Sequence, residues 1–199
     1  MLIIVMLTKK ALVLDLDETL VHSVIRTKPD PKLAQIADFH FQLGGEQYYV
    51  FKRPGLDQFL KTVFDEFDYI GFWTVGMASY AKQILKNILT LSQAQHKKLI
   101  FIFTRNKCSK DEWGYYKPLQ TVWEFSNKFT PKNTIMVDNT LMVMRENLEN
   151  GIVCPDFNTD NLTNDNYLPW LRVNILKNLK KTTPLNFVEK INQRTAMLY

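Results

Sequence analysis

Four short apolar runs punctuate the chain, and each stops at a polar residue. Ala11-Leu12-Val13-Leu14 ends at Asp15, and Tyr69-Ile70-Gly71-Phe72-Trp73 ends at Thr74. Leu99-Ile100-Phe101-Ile102-Phe103 ends at Thr104-Arg105, and Thr134-Ile135-Met136-Val137 ends at Asp138. Continuous runs of this length fit strands buried on both faces. Between them lie stripes with helical spacing. Leu56, Phe59, Leu60, Val63, Phe64 and Phe67 form one; Met77, Tyr80, Ala81, Ile84, Leu85 and Ile88 form a second, with Lys82, Gln83, Lys86 and Asn87 opposite. A third begins at Leu119, Val122 and Trp123, and a fourth holds Leu168, Leu171, Ile175 and Leu179. Thr183-Pro184 opens the last helix with proline at its first position. Strands alternating with helices predict an α/β fold with a mainly parallel sheet. One segment breaks the alternation. Phe39–Leu43 and Tyr48–Lys52 flank Gly44-Gly45-Glu46-Gln47, which reads as a β-hairpin. It predicts a small insertion, about 24–52, within a single domain spanning 1–199.

Composition changes this picture little. The chain has 199 residues, 46% of them hydrophobic and 23% charged, as in ordinary globular proteins. Its formal net charge of +5 is spread over pairs such as Lys9/Lys10, Lys97/Lys98 and Lys180/Lys181. Such spreading describes a solvated surface and gives no nucleic-acid footprint, although a basic balance helps a phosphorylated substrate approach. Cys108 and Cys154 are too few for a disulfide framework and match no zinc spacing. Free thiols are the expectation, and Cys108 has no histidine near it in sequence to make it a nucleophile. Met1 to Leu7 is apolar, which suggests a strand, but is too short for a membrane span. A nuclear or cytoplasmic protein without a membrane segment is expected.

The chemistry follows from where the runs stop. In open α/β sheets, ligands bind outside the carboxyl ends of the strands. Asp15, Thr74, Arg105 and Asp138 should therefore share one rim. The strongest local signal is Asp15-Leu16-Asp17-Glu18-Thr19-Leu20. Two carboxylates two positions apart after a buried strand repel unless a cation or phosphate chemistry requires them. A helix N-cap with an incidental acid is the plainer alternative. Asp138-Asn139 supplies further oxygen donors suited to magnesium, although alone it is a common turn pair. Lys117 lies between the third and fourth strands, where a loop can bring it to the rim.

Taken together, Asp15-x-Asp17-x-Thr19, Thr74, Lys117 and Asp138-Asn139 resemble the four ordered motifs of the haloacid dehalogenase superfamily. The stretches DLDETLVHS, FKRPGLDQFL and FWTVGMASYAKQIL are similar to the catalytic domain of the FCP/SCP-type phosphatases. KPLQTVWEFSNKFTPKNTIMVDN especially resembles that of the ubiquitin-like-domain-containing members. The resemblance spans roughly Lys10 to Trp170. It implies a Rossmannoid sheet flanked by helices, and a magnesium-dependent protein serine/threonine phosphatase. It implies Asp15 as nucleophile, Asp17 as general acid and base, and Thr19 as support for Asp17. Thr74 and Lys117 would bind phosphoryl oxygens. Magnesium would lie among Asp15, the Asp17 carbonyl and Asn139, with Asp138 in or next to its shell. Arg105 matches an arginine of the SCP-type members, which either grips substrate or forms a rim salt bridge. Arg53 reads as structural, and His22 as a satisfied near-core histidine. The sequence departs from the family pattern at Val75-Gly76, Pro118 and Thr140-Leu141, which touches the substrate groove and leaves the catalytic side chains in place.

The same resemblance bears on substrate. Thr74 to Lys117 holds one predicted helix and one strand, leaving no room for a large cap. An open site favours a phosphoprotein, the RNA polymerase II C-terminal domain among the candidates. Phe39, Phe41, Tyr48, Tyr49 and Tyr80 either line a groove for a proline-containing peptide or belong to the core. The alternatives are a small-ester phosphatase of the superfamily and an inactive phosphoprotein-binding scaffold. A receiver domain has its acids in a different order relative to lysine.

Overall fold

A computed structural model describes residues 9–196; the strand expected at Met1 to Leu7 lies outside them. Five strands form one parallel sheet: β1 (Ala11–Leu14), β5 (Tyr69–Trp73), β6 (Leu99–Phe103), β9 (Thr134–Asp138) and β10 (Gly151–Val153). Their order is β10-β9-β1-β5-β6, so β1 is central and the chain winds first to one side of it and then to the other. The register pairs Leu14 with both Phe72 and Val137, which brings the ends of β1, β5 and β9 level.

Alternation along each strand splits the core in two, because successive side chains point to opposite faces. Leu12 and Leu14 face α2 (Leu56–Glu66), α3 (Ala78–Ile88), α6 (Tyr167–Asn178) and α7 (Pro184–Thr195). Ala11 and Val13 face the other layer, with Trp73, Phe101, Phe103 and the residues of α5 (Gln120–Phe125). The predicted stripes supply these faces: Phe59, Val63, Ile84, Leu168 and Leu171 are at most 0% exposed. Gly71 is needed between β5 and β6, because a Cβ there would collide with the Phe101 ring. The helix α7 starts as expected, with Pro184 in its first turn and the Thr183 hydroxyl accepting from the Asn186 backbone N–H.

The insertion is larger than a hairpin. The hairpin strands β3 (Phe39–Leu43) and β4 (Glu46–Lys52) are joined by β2 (Val21–Arg26) in a three-stranded antiparallel sheet, order β2-β4-β3. Gly44 and Gly45 sit at φ 60 and 84 in its turn, the left-handed region that glycine adopts without strain. The short helix α1 (Pro31–Ile36) connects β2 to β3, capped by Asp30. The stretch from Thr74 to Lys117 also holds more than one helix and one strand. It includes a four-residue helix α4 (Gln93–His96) and a hairpin of β7 (Ser109–Asp111) and β8 (Gly114–Tyr116). That hairpin delivers Lys117 to the rim.

Candidate active site

Asp15 is the residue at which β1 leaves the sheet, its backbone N–H still bonded to the Val137 carbonyl at 3.1 Å. The chain then turns sharply. Leu20 and Val21 both donate to the Leu16 carbonyl, and Glu18 takes φ 54, a left-handed conformation rare outside glycine. Strain of this kind persists only where surroundings enforce it. Arg53 is the enforcing group. Its guanidinium is 1% exposed, donates to both Asp165 oxygens at 2.9 and 2.7 Å, and reaches the Thr19 carbonyl at 3.1 Å. The rings of Phe157 and Tyr167 lie 5.7 and 5.1 Å from it. Arg53 is thus structural, as its sequence context suggested, and it holds the turn that carries Asp15 and Asp17.

Lys117 lies between the first and last acids. Its Nζ donates to Asp15 Oδ1 at 2.6 Å and to Asp138 Oδ2 at 2.7 Å, with all three side chains buried. Asp138 Oδ1 accepts from the Thr140 backbone N–H at 2.9 Å, so both its oxygens are engaged. Asp17 is gripped from two sides. Thr74 Oγ1 donates to Oδ2 at 3.0 Å, and the Tyr80 hydroxyl donates to Oδ1. Thr74 in turn accepts from the Gly76 backbone N–H at 2.8 Å. Thr19 is fully buried; its hydroxyl accepts from the Asn139 backbone N–H at 3.1 Å and meets Asn139 Oδ1 at 3.2 Å. Asp156 accepts from Asn139 Nδ2 at 2.8 Å, which fixes the amide with its oxygen toward Thr19.

Asp15, Asp17, Thr74, Lys117, Asp138 and Asn139 line one open cavity of about 310 Å³. The structure therefore brings together the acids, threonine, lysine and asparagine that the sequence singled out. Arg105 stands apart. It is exposed, donates from Nε to the Val75 carbonyl at 2.8 Å, and stacks on Tyr115. Among the described residues it forms no salt bridge, contrary to one of its two expected roles. It borders the cavity through Val75 and Tyr115, which line it. His22 is satisfied by Glu18 at 3.0 Å. The sequence offers Tyr80 only as a groove-lining or core aromatic, without a bond to Asp17, and gives no signal for Asp156, which lies outside any regular element.

Charge in the cavity is unbalanced. Four acids, Asp15, Asp17, Glu18 and Asp138, line it with one ammonium, Lys117. Burial pushes the Asp15 carboxyl up to about 8; Lys117 opposes this, while Asp138 and Asp17 add to it. Burial would lower Lys117, but Asp138 and Asp15 outweigh it and hold the ammonium above its usual range. Burial also raises Asp17, with Tyr80 and Thr74 pulling back. Both thiols are raised by burial, Cys154 to about 12, so neither is a ready nucleophile.

Among the described residues no group of three or more His, Cys, Asp or Glu side chains has the arrangement of a metal site. Asp15 and Asn139, which line the cavity, offer a carboxylate and an amide oxygen, both hard donors. That set, with further acids around it, suits a magnesium ion, which takes few protein ligands and keeps waters.

A parallel sheet with acids and a lysine at its carboxyl rim and an antiparallel insertion after the first strand defines a haloacid dehalogenase-like α/β protein. The chain belongs to the NLI interacting factor-like phosphatase family, whose model matches residues 10–186. It is 34% identical over 131 residues to a probable C-terminal domain small phosphatase of Dictyostelium discoideum, covering 66% of this chain and 39% of that protein. It is 30% identical over 175 residues to nuclear envelope morphology protein 1 of Saccharomyces cerevisiae, covering 82% of this chain and 38% of that one. The chain thus spans less than two fifths of the length of either. A solved structure of the fission yeast RNA polymerase II CTD phosphatase Fcp1, in a variant bound to beryllium fluoride, matches with TM-score 0.55 and 21% identity over 96% of this chain and 56% of that one. A second structure of Fcp1 gives TM-score 0.56 and 18% identity, covering 96% and 62%. At such identities the likeness is one of fold.

Proposed function

We propose that this chain is a single-domain, magnesium-dependent phosphoprotein phosphatase that carries the phosphoryl group on Asp15. The carrying observation is the buried Lys117 bridge between Asp15 and Asp138 at the mouth of a cavity that also holds Asp17. The bridge orients one Asp15 oxygen and leaves the other for attack. Asp15 attacks phosphorus and the bond from phosphorus to the seryl or threonyl oxygen breaks. Asp17 gives its proton to that leaving oxygen. In the second half, Asp17 takes a proton from water as the water oxygen attacks phosphorus. The bond to Asp15 then breaks and inorganic phosphate departs. Lys117 balances charge on the phosphoryl oxygens. The Thr74 hydroxyl, in the same wall, holds Asp17 and lies where the phosphoryl oxygens would bind.

Asp15, the Asp17 carbonyl and Asn139 are the residues that would hold magnesium; Asp138, with both oxygens engaged, stands next to them. Bound there, magnesium offsets the repulsion between an anionic nucleophile and an anionic phosphate. Arg105 at the border is a candidate grip on the substrate chain.

The open cavity favours a phosphoserine or phosphothreonine segment over a small metabolite. The names of relatives make the RNA polymerase II C-terminal domain one candidate and point to a nuclear or cytoplasmic setting. No helix among the described residues is long and apolar enough to cross a membrane. The test is turnover of p-nitrophenyl phosphate. It should stop with EDTA, return with magnesium, and fall about 10³-fold or more in Asp15→Asn. Turnover that survives in Asp15→Asn would remove Asp15 from the mechanism.

A further inference from the structure

The inserted sheet touches the reaction centre through two hydroxyls. Ser23, on β2, places Oγ 2.7 Å from the Tyr80 hydroxyl oxygen on α3. Tyr80 donates to Asp17 Oδ1. A phenol carries one proton. Since that proton points at Asp17, the Ser23 hydroxyl must donate to Tyr80. The direction is fixed: Ser23 to Tyr80 to Asp17.

The Tyr80 ring is held by the insertion as well as by its own helix. Tyr48 and Phe41 pack on it with centroids at 5.5 and 6.2 Å, and Tyr80 is 8% exposed. One Asp17 oxygen is therefore gripped by Thr74, at the end of a strand of the parallel sheet, and the other by Tyr80 of α3, which the inserted sheet braces. Two donors on two oxygens fix the plane of the carboxyl group. Each oxygen keeps a second lone pair on which a proton can travel.

We propose that Ser23 and Tyr80 form a relay through which the inserted sheet positions Asp17 for proton transfer to the leaving group. Neither residue touches phosphorus; both are positioning residues. The inference rests on the reading of Asp17 as general acid, and it assigns the insertion a part in catalysis besides lining a groove.

Leaving-group chemistry separates this role from general support. Phenol is a weaker acid than p-nitrophenol, so phenyl phosphate needs a proton on its leaving oxygen more than p-nitrophenyl phosphate does. The two esters have nearly the same shape, so binding effects cancel in their ratio. The quantity to read is kcat/KM, which covers steps only through the first P–O cleavage and excludes hydrolysis of the intermediate. A well-placed general acid contributes roughly 10²–10⁴-fold, and misplacing a catalytic group by about 1 Å costs up to about 10²-fold.

The experiment measures both esters with the full chain in magnesium, for the wild type, Tyr80→Phe and Ser23→Ala. Tyr80→Phe keeps the ring and its packing. We expect it to lower kcat/KM for phenyl phosphate about tenfold more than for p-nitrophenyl phosphate, with Ser23→Ala shifting the ratio the same way by less. An equal fall on both esters in Tyr80→Phe would reduce the relay to a structural contact, and unchanged rates would remove it. Should Tyr80→Phe fail to fold, Ser23→Ala alone decides: an unchanged ratio overturns the relay. A wild type that cleaves neither ester would sink the phosphatase reading itself, and the relay with it.

Discussion

Lys117 holds the most charge in the smallest space. One ammonium, enclosed at 1% side-chain exposure, serves Asp15 at 2.6 Å and Asp138 at 2.7 Å. Removing one partner of such a group leaves the others buried and uncompensated. In Lys117→Met the two aspartates would face each other with no cation between them, and a phosphoryl group would lose its donor. Loss of one such donor costs about 10²–10³-fold in rate. We expect kcat for p-nitrophenyl phosphate to fall at least that far in Lys117→Met, with the chain still folded by circular dichroism; a rate within tenfold of wild type would reassign Lys117 to structure. Asp15 and Asp138 are legible in sequence because each ends an apolar run; Lys117 is one of five lysines between the third and fourth runs, and its place among the ordered motifs is what singles it out. The roles of Tyr80 and Asp156 are not legible. A tyrosine on a helical stripe buries its ring like any core residue, and only the depth of the helix end decides where its hydroxyl emerges. Asp156 sits in irregular chain, with no periodicity to aim it.

At the scale of elements, the turn after β1 depends on a contact from far along the chain. Arg53, just after β4, meets Asp165, just before α6, with side chains 0% and 2% exposed. The pair closes over the Thr19 carbonyl and keeps Glu18 in its left-handed conformation. Removing one side of a buried pair costs about 3–5 kcal/mol. Urea unfolding of Arg53→Met should show a loss of that size. A loss under about 1 kcal/mol would mean that the turn holds itself. The four continuous apolar runs and the amphipathic stripes are readable because unbroken apolarity and period survive any tertiary context. The strand β10 and the hairpin β7–β8 have three residues per strand, too few to show a period. The strand β2 begins inside the DLDETLVHS motif, and its pairing with β4 is a long-range choice that local pattern does not encode. Asp30-Pro31 is a helix-start signal, but the six residues of α1 are too few to show a helical period.

Across the whole molecule, the order of the strands does the gathering. With β1 central and the chain winding outward on both sides, the ends of β1, β5 and β9 meet at one rim, and the loop after β8 returns Lys117 to it. The inserted sheet reaches Asp17 at one remove, through Ser23 on Tyr80 of α3. No single element carries the site, which is why its acids and its lysine come from positions as far apart as 15 and 138. The net charge of +5 suits an anionic substrate at this rim but selects none. The mechanism proposed for this arrangement requires a transient acyl phosphate on Asp15. The most direct measurement quenches the enzyme during turnover of p-nitrophenyl phosphate and reduces it with borohydride, which converts an aspartyl phosphate to homoserine. Peptide mass spectrometry should then find homoserine at position 15 and nowhere else. Turnover that proceeds with position 15 unmodified, or with the reduced residue at another acid, would contradict the mechanism.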